Sequence, residues 1–140
     1  MQSRRTRYGW TLRLEPGEDV VGTLHAFAAR EGVRAGLISG IGSIGETELG
    51  FFVRGTRDYT RRVFEGDHEI GSLTGDFSEL DGRPHAHCHV VIAGPDFVAH
   101  TGHLLRGAVT MTCEIQVVTD PETQRRVRRD DLGFHPLELG

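Results

Sequence analysis

The chain is poor in the features that mark specialised scaffolds. It holds two cysteines in 140 residues, too few for a disulfide framework. Cys88 and Cys113 fall inside apparent strands; reduced thiols of a cytoplasmic protein are the default, and their spacing leaves a bridge open. No apolar run approaches the roughly 18 residues of a membrane span, so none is expected. The first residues, Met1 to Arg7, are basic but lack a following apolar stretch, which argues against a secretory signal. Positive charge is not in excess. Sixteen Lys and Arg against twenty Asp and Glu give a net charge of −4, so an overall nucleic-acid footprint is missing. There is no internal repeat and no low-complexity linker. The length fits one domain, and an apolar share of 37% supports a real core.

Glycine is the abundant residue, at 19 positions, which predicts tight turns and short elements rather than a helical bundle. Tyr8 to Leu14 reads as a first strand, ended by Pro16-Gly17. Asp19 is placed to cap a helix running to about Glu31, with Val20, Val21, Leu24, Phe27 and Ala28 as its apolar stripe and Gly32 as its stop. Val33 to Ser39 is expected as a short strand and Ser43 to Val53 as another. Between them Ser39-Gly40-Ile41-Gly42-Ser43 lacks the full GxGxxG spacing and the Walker lysine, so a bend or close backbone approach explains it better than nucleotide binding. Arg54 to Arg62 is expected as polar turn, Val63 to His68 as loop or short strand, and Glu69 to Phe77 as strand. Asp81-Gly82 is a turn signal. Phe97 to Leu105 is read as one piece and Val109 to Val118 as a long final strand. The tail from Thr119 is expected to be partly helical or extended. Many strands with one clear helix favour α+β.

His85, His87 and His89 alternate in Pro84-His85-Ala86-His87-Cys88-His89-Val90, and His103 follows in Gly102-His103-Leu104. On a strand, the period of two puts the alternating imidazoles on one face. Neutral imidazole suits zinc, nickel, copper or iron, and a histidine from a neighbouring segment closes a three-ligand site with one position open. The same spacing also suits an ordinary polar face or a carboxylate-paired cluster. Cys88 points to the opposite face, where a buried small hydrophobe is the preferred reading. His25, within the helix, reads as a rim residue.

These landmarks together resemble the PPC domain, or DUF296, the Plants and Prokaryotes Conserved domain. The matching pieces are Gly17-Glu18, Ser39 to Ser43, Glu69-Ile70 with Leu73-Thr74-Gly75, His87-Cys88-His89-Val90, Gly102-His103-Leu104 and Glu114-Ile115, in order through residues 7–119. The resemblance divides the chain into a basic arm over residues 1–6, the domain over 7–119 and a tail over 120–140 that packs on a neighbouring subunit. It implies an antiparallel or mixed sheet flanked by helices and a homotrimer. Plant members carry the domain beside AT-hooks in nuclear proteins; stand-alone prokaryotic members lack the hooks. The fold also resembles acetolactate decarboxylase, a zinc enzyme with an HxH pair and a later histidine.

Carried onto this chain, the resemblance implies metal ligands at His87, His89 and His103, although Thr101 stands where the family has the first glycine of the last motif. His85 is extra to the motif and is left as a fourth ligand, an outer donor to a ligand, or a rim residue. Zn2+ is the favoured ion, with Ni2+, Fe2+ or Mn2+ as alternatives. A small molecule at an open position would make the site lyase- or hydrolase-like. Asp76, Glu69 and Glu114 are the carboxylates of interest, with Glu69 and Glu114 the acid–base candidates. The alternative function is a DNA-binding or DNA-associated regulatory protein, suggested by the plant members and by arginine clusters at Arg4-Arg5-Arg7, Arg61-Arg62 and Arg125-Arg126-Val127-Arg128-Arg129. Against it, residues 120–131 carry four arginines and four acids, and Asp81 stands where a minor-groove Arg-Gly-Arg-Pro motif needs a cation.

Overall fold

The fold was obtained as a computed structural model, which describes residues 1–139. The elements in order are β1 (Gln2–Arg5), β2 (Gly9–Leu14), α1 (Val20–Glu31), β3 (Gly36–Val53), β4 (Asp58–Leu80), β5 (Arg83–Ala93), β6 (Ala99–Thr119), β7 (Arg125–Arg126) and β8 (Leu137–Glu138). One sheet carries them in the order β1-β2-β6-β3-β4-β7-β8, with β5 pairing both β4 and β6. All pairings are antiparallel except β4 with β7, so the sheet is mixed. The α+β expectation holds, with α1 as the single helix among the described residues.

The helix forms where its caps dictate. Asp19 Oδ1 accepts from the Gly22 amide at 2.7 Å, and Gly32 adopts the left-handed conformation that ends the helix. The second carboxylate oxygen of Asp19 accepts from the Gly107 amide at 2.9 Å, which ties the helix start to β6. The apolar stripe Val20, Leu24, Phe27 and Ala28 is fully buried. Phe27 meets Trp10 edge-on at 5.5 Å and Phe77 at 6.1 Å, joining β2, α1 and β4 into one core.

The strands are longer than the sequence suggests. The two expected strands either side of Gly40-Ile41-Gly42 are one, β3, with register shifts at Gly40/Gly42 and Gly45/Thr47. Gly42 has φ 156 and runs so close to β6 that a Cβ would lie 2.3 Å from the Thr112 carbonyl oxygen; the glycine lets the strand bulge without breaking. Residues expected as turn and loop over 58–68 pair with β3 and extend β4. Likewise β6 runs unbroken, its irregularity absorbed as register shifts against β3. The residues expected as a basic arm form β1, hydrogen-bonded to β2. The tail is extended rather than helical, and β7 lies against β4 of the same chain.

The β4–β5 connection sets up the site. Leu80 pairs with Arg83, leaving Asp81 and Gly82 as a two-residue turn with φ 52 and 75. Positive φ at both positions is the hairpin geometry that Asp-Gly favours. Register follows from it. Ala86, Cys88, Val90 and Ile92 enter the core, and His85, His87 and His89 take the other face.

Candidate metal centre

His89 lies directly opposite His103 across the β5–β6 ladder, and His87 is two residues back along β5 on the same face. The three rings form a triangle, with centroids 5.3 Å apart for His87–His89, 5.0 Å for His87–His103 and 5.4 Å for His89–His103. One ligand-capable nitrogen from each lies within 4.8 Å of the others. Nitrogens bound at about 2.1 Å to one tetrahedral ion stand roughly 3.4 Å apart, so only a small closing movement of the rings is needed.

The electrostatics suit neutral, lone-pair-bearing imidazoles. Burial, then the neighbouring His87 and His89, holds His103 down to about 4. Burial, then His87, lowers His89 as well. His103 Nδ1 is buried without a hydrogen-bond partner. A bare nitrogen of that kind is costly unless something else satisfies it. The donor set therefore fits a borderline transition metal, with Nε2 or Nδ1 lone pairs as the ligating groups.

Around His87 lies a polar cluster. Arg126 Nη2 donates to Asp76 Oδ2 at 2.7 Å and stands 3.0 Å from His87 Nδ1, while Asp76 Oδ2 is 3.6 Å from that same nitrogen. Arg126 also donates from Nε to Ser78 Oγ and from Nη1 to the His135 carbonyl, both at 2.9 Å. Burial is the largest single influence on the Asp76 carboxyl and raises it, but His87 and Arg126 together outweigh it and hold the group below its ordinary value.

The triangle opens into a cleft of about 680 Å³. Its apolar walls are Phe51, Phe52, Tyr59 and Phe134. Phe52 packs edge-on against Tyr59 at 5.3 Å and Phe134 at 5.6 Å, and the Tyr59 ring lies 5.2 Å from His103.

Asp76 is thus the one expected carboxylate that reaches the histidines. Glu69 and Glu114 do not. Glu69 is exposed opposite Ala93, six residues along β5 from His87, or about 20 Å at strand rise. Glu114 is exposed opposite Arg13 and Ile41, eleven residues along β6 from His103, or about 35 Å. The acid–base roles expected of them are corrected on this ground. They sit in motif-like blocks, but shared strand membership does not bring side chains together. His85 is also outside the triangle. It lines the cleft with its ring 5.6 Å from His25 of α1, and burial, then His25, holds it down to about 4. His100 packs on Phe64 at 4.6 Å instead. Cys88 and Cys113 are free and buried, and no bridge forms.

Sequence reasoning missed Tyr59, Phe134, His135 and the part Arg126 plays. Tyr59 lay in a segment read as turn, and the last three lie in a tail whose packing no local pattern encodes. The Arg125–Arg129 cluster is ion-paired within the chain: Arg125 with Glu79 at 3.6 Å, Arg126 with Asp76, Arg128 with Asp81, and Arg129 with Asp131 at 2.7 Å. No helix of the described residues is long and apolar enough to cross a membrane.

The family model of the Plants and Prokaryotes Conserved (PCC) domain matches residues 1–120, and the chain belongs to that family. A solved structure from Bacteroides thetaiotaomicron VPI-5482, provisionally named a DNA-binding protein, superposes with a TM-score of 0.95 at 29% identity, covering 99% of this chain and 96% of that one. The metal-containing protein AF0104 of Archaeoglobus fulgidus superposes with a TM-score of 0.83 at 30% identity, covering 90% and 89%. The bifunctional protein GlmU of Synechococcus sp. (strain JA-3-3Ab) is 30% identical over 131 residues, 93% of this chain. The chain spans 20% of that relative's length. A Staphylococcus aureus protein similar to alpha-acetolactate decarboxylase shares the fold, with a TM-score of 0.50 at 21% identity over 82% of this chain and 53% of that one.

Proposed function

We propose that this member of the Plants and Prokaryotes Conserved domain family binds one transition-metal ion per chain through His87, His89 and His103. The observation that carries the reading is the triangle of imidazoles on β5 and β6, each offering a nitrogen within 4.8 Å of the others. The metal-containing relative from Archaeoglobus fulgidus supports it. Zinc is favoured by ligand type, with nickel, iron and manganese as alternatives. When bound, the ion supplies a Lewis-acidic centre at the base of the cleft. The chain's own part is to hold three neutral imidazoles on rigid strands, to orient His87 through Asp76, and to wall the position with aromatic rings.

The test is metal analysis of purified protein offered zinc, nickel, iron and manganese in turn. About one ion per chain is expected, lost in His89→Ala. His89 is exposed, so that variant should keep the fold. A wild-type protein left empty by all four ions would overturn the reading.

The working unit of this reading is a homotrimer. Exposed Leu37 pairs across the ladder with exposed Val118, and Ile41 of β3 and Met111 of β6 are exposed as well. Apolar side chains on a bare sheet face call for cover. Light scattering is expected to give three chains per particle; a stable 15.5 kDa monomer at high concentration would refute it.

A second reading, DNA association, rests on the provisional names of relatives such as the Bacteroides protein and on exposed Arg4, Arg5 and Arg7 at the β1 edge. The intramolecular pairing of the tail arginines weakens it. Salt-dependent retention on duplex DNA at physiological ionic strength would support this reading, and no retention there would remove it.

A further inference from the structure

We infer that the cleft above the three histidines binds a small carboxylate carried on a flat apolar body, an arylcarboxylate or its like. The inference deepens the metal reading and rests on it. The cleft's volume of about 680 Å³ falls within the usual range for small-molecule sites.

Charge selects the head group. No aspartate or glutamate lines the cleft, while Arg126 does, with its side chain 9% exposed. The Asp76 carboxylate is committed to Arg126 and so offsets that one cation. A divalent ion held by three neutral imidazoles therefore leaves the cleft net positive. An anion is attracted there and a cation repelled.

The donors argue for a carboxylate over a bulkier oxyanion. Each of the three Arg126 nitrogens already donates within the chain, to Ser78, the His135 carbonyl and Asp76, so its planar fork is not free to grip a phosphate. What remains is the open metal position for one oxygen. His135 also lines the cleft, and its Nδ1, buried without a partner, can donate to a second once the ring turns. Two acceptor atoms are what a carboxylate presents.

The walls select the body. Phe52, Tyr59 and Phe134 meet edge to face, and Phe51 stands at the rim, 74% exposed. Such faces favour a ring over a branched aliphatic chain. Phe134 and His135 come from the tail beyond the matched family model, so this pocket depends on how the tail folds back over β4.

The experiment is calorimetric titration of the zinc-loaded protein with benzoate, beside acetate, benzyl alcohol and benzylamine. Zinc content is measured on the same samples. Benzoate is expected to bind at least about tenfold more tightly than acetate or benzyl alcohol, since aromatic contacts and the charged head each contribute on that scale. Benzylamine is expected not to bind. Phe134→Ala and Tyr59→Leu should each reduce benzoate to the level of acetate with zinc content unchanged. In cobalt-loaded protein, benzoate should shift the visible bands of the ion. Benzoate no tighter than acetate, or no tighter than benzyl alcohol, in protein that holds its zinc would overturn the inference while leaving the metal reading standing. Protein that retains no zinc would overturn both.

Discussion

Arg126 places Nη2 3.0 Å from His87 Nδ1. A guanidinium only donates, so in this arrangement Nδ1 accepts and the ring proton sits on Nε2. A ligand that gives Nε2 to a metal needs the opposite tautomer, with Nδ1–H donating. The acceptor at hand is Asp76 Oδ2, 3.6 Å away. Asp76 and Arg126 thus compete for one nitrogen, and metal loading favours Asp76. Asp76→Asn is expected to weaken zinc binding by about 10- to 100-fold, the usual cost of losing an outer acceptor to a ligating histidine. Arg126→Met is expected to leave it unchanged or tighten it. Competition against a chromophoric chelator measures both. Equal weakening by the two variants would show that the cluster acts as a unit rather than as competitors.

Acid should destabilise the metal-free protein earlier than its carboxylates alone would. His85 and His103 are held down to about 4, and His89 is lowered too, chiefly by burial. In the unfolded chain each titrates near its ordinary value of about 6.5. Between those values the unfolded state binds protons that the native state refuses, so stability falls as pH falls through that window and levels off near its lower end. The lowered Asp76 acts below this window, where its stabilisation is lost as it protonates. Urea midpoints measured from about pH 7 to pH 4 should decline. A midpoint that rises over that range would contradict the burial assigned to these rings.

Both thiols should be silent towards alkylating and disulfide-exchange reagents in the native state. Burial pushes Cys88 up to about 12 and Cys113 up to about 11, so almost no thiolate exists near neutral pH. Labelling should become complete on unfolding in denaturant. Rapid native-state reaction at either cysteine would place it outside the core.

Gly75→Ala should damage the fold at the back of the site. Gly75 lies opposite Cys88, and a Cβ there would stand 2.1 Å from the His87 carbonyl oxygen. Both partners are backbone in a central ladder, so the strands must move apart. A loss of about 1–3 kcal/mol or more is expected, together with weakened metal binding, because the displaced strand carries His87 and His89. Denaturant melts of the purified variant measure the first effect and metal titration the second. Gly55→Ala, where a Cβ meets nothing within 4 Å, is the control.

Local patterns determined a good part of this protein. Asp19 and Gly32 bracket α1 because capping is decided within a few residues. Asp81-Gly82 fixes the β4–β5 turn, and from it the period of two assigns His87 and His89 to one face and Cys88 to the other. Those two histidines and His103 were legible because the first two are neighbours along a strand and the third comes in a recognisable motif.

Tertiary structure decided the rest. Whether Gly40 and Gly42 end a strand or bulge it depends on how closely β6 passes, which no window around them contains. Which carboxylate lies beside the histidines is likewise a matter of register: Asp76 pairs with His87, whereas Glu69 and Glu114, in equally suggestive blocks, pair far along the ladders. Arg126 reaches His87 across 39 residues of sequence, and Tyr59 and Phe134 wall the cleft from a strand and a tail that read locally as turn and extension. Propensity and periodicity act over one or two turns of chain. The contacts that complete this site are made by segments whose only relation is the sheet that brings them together.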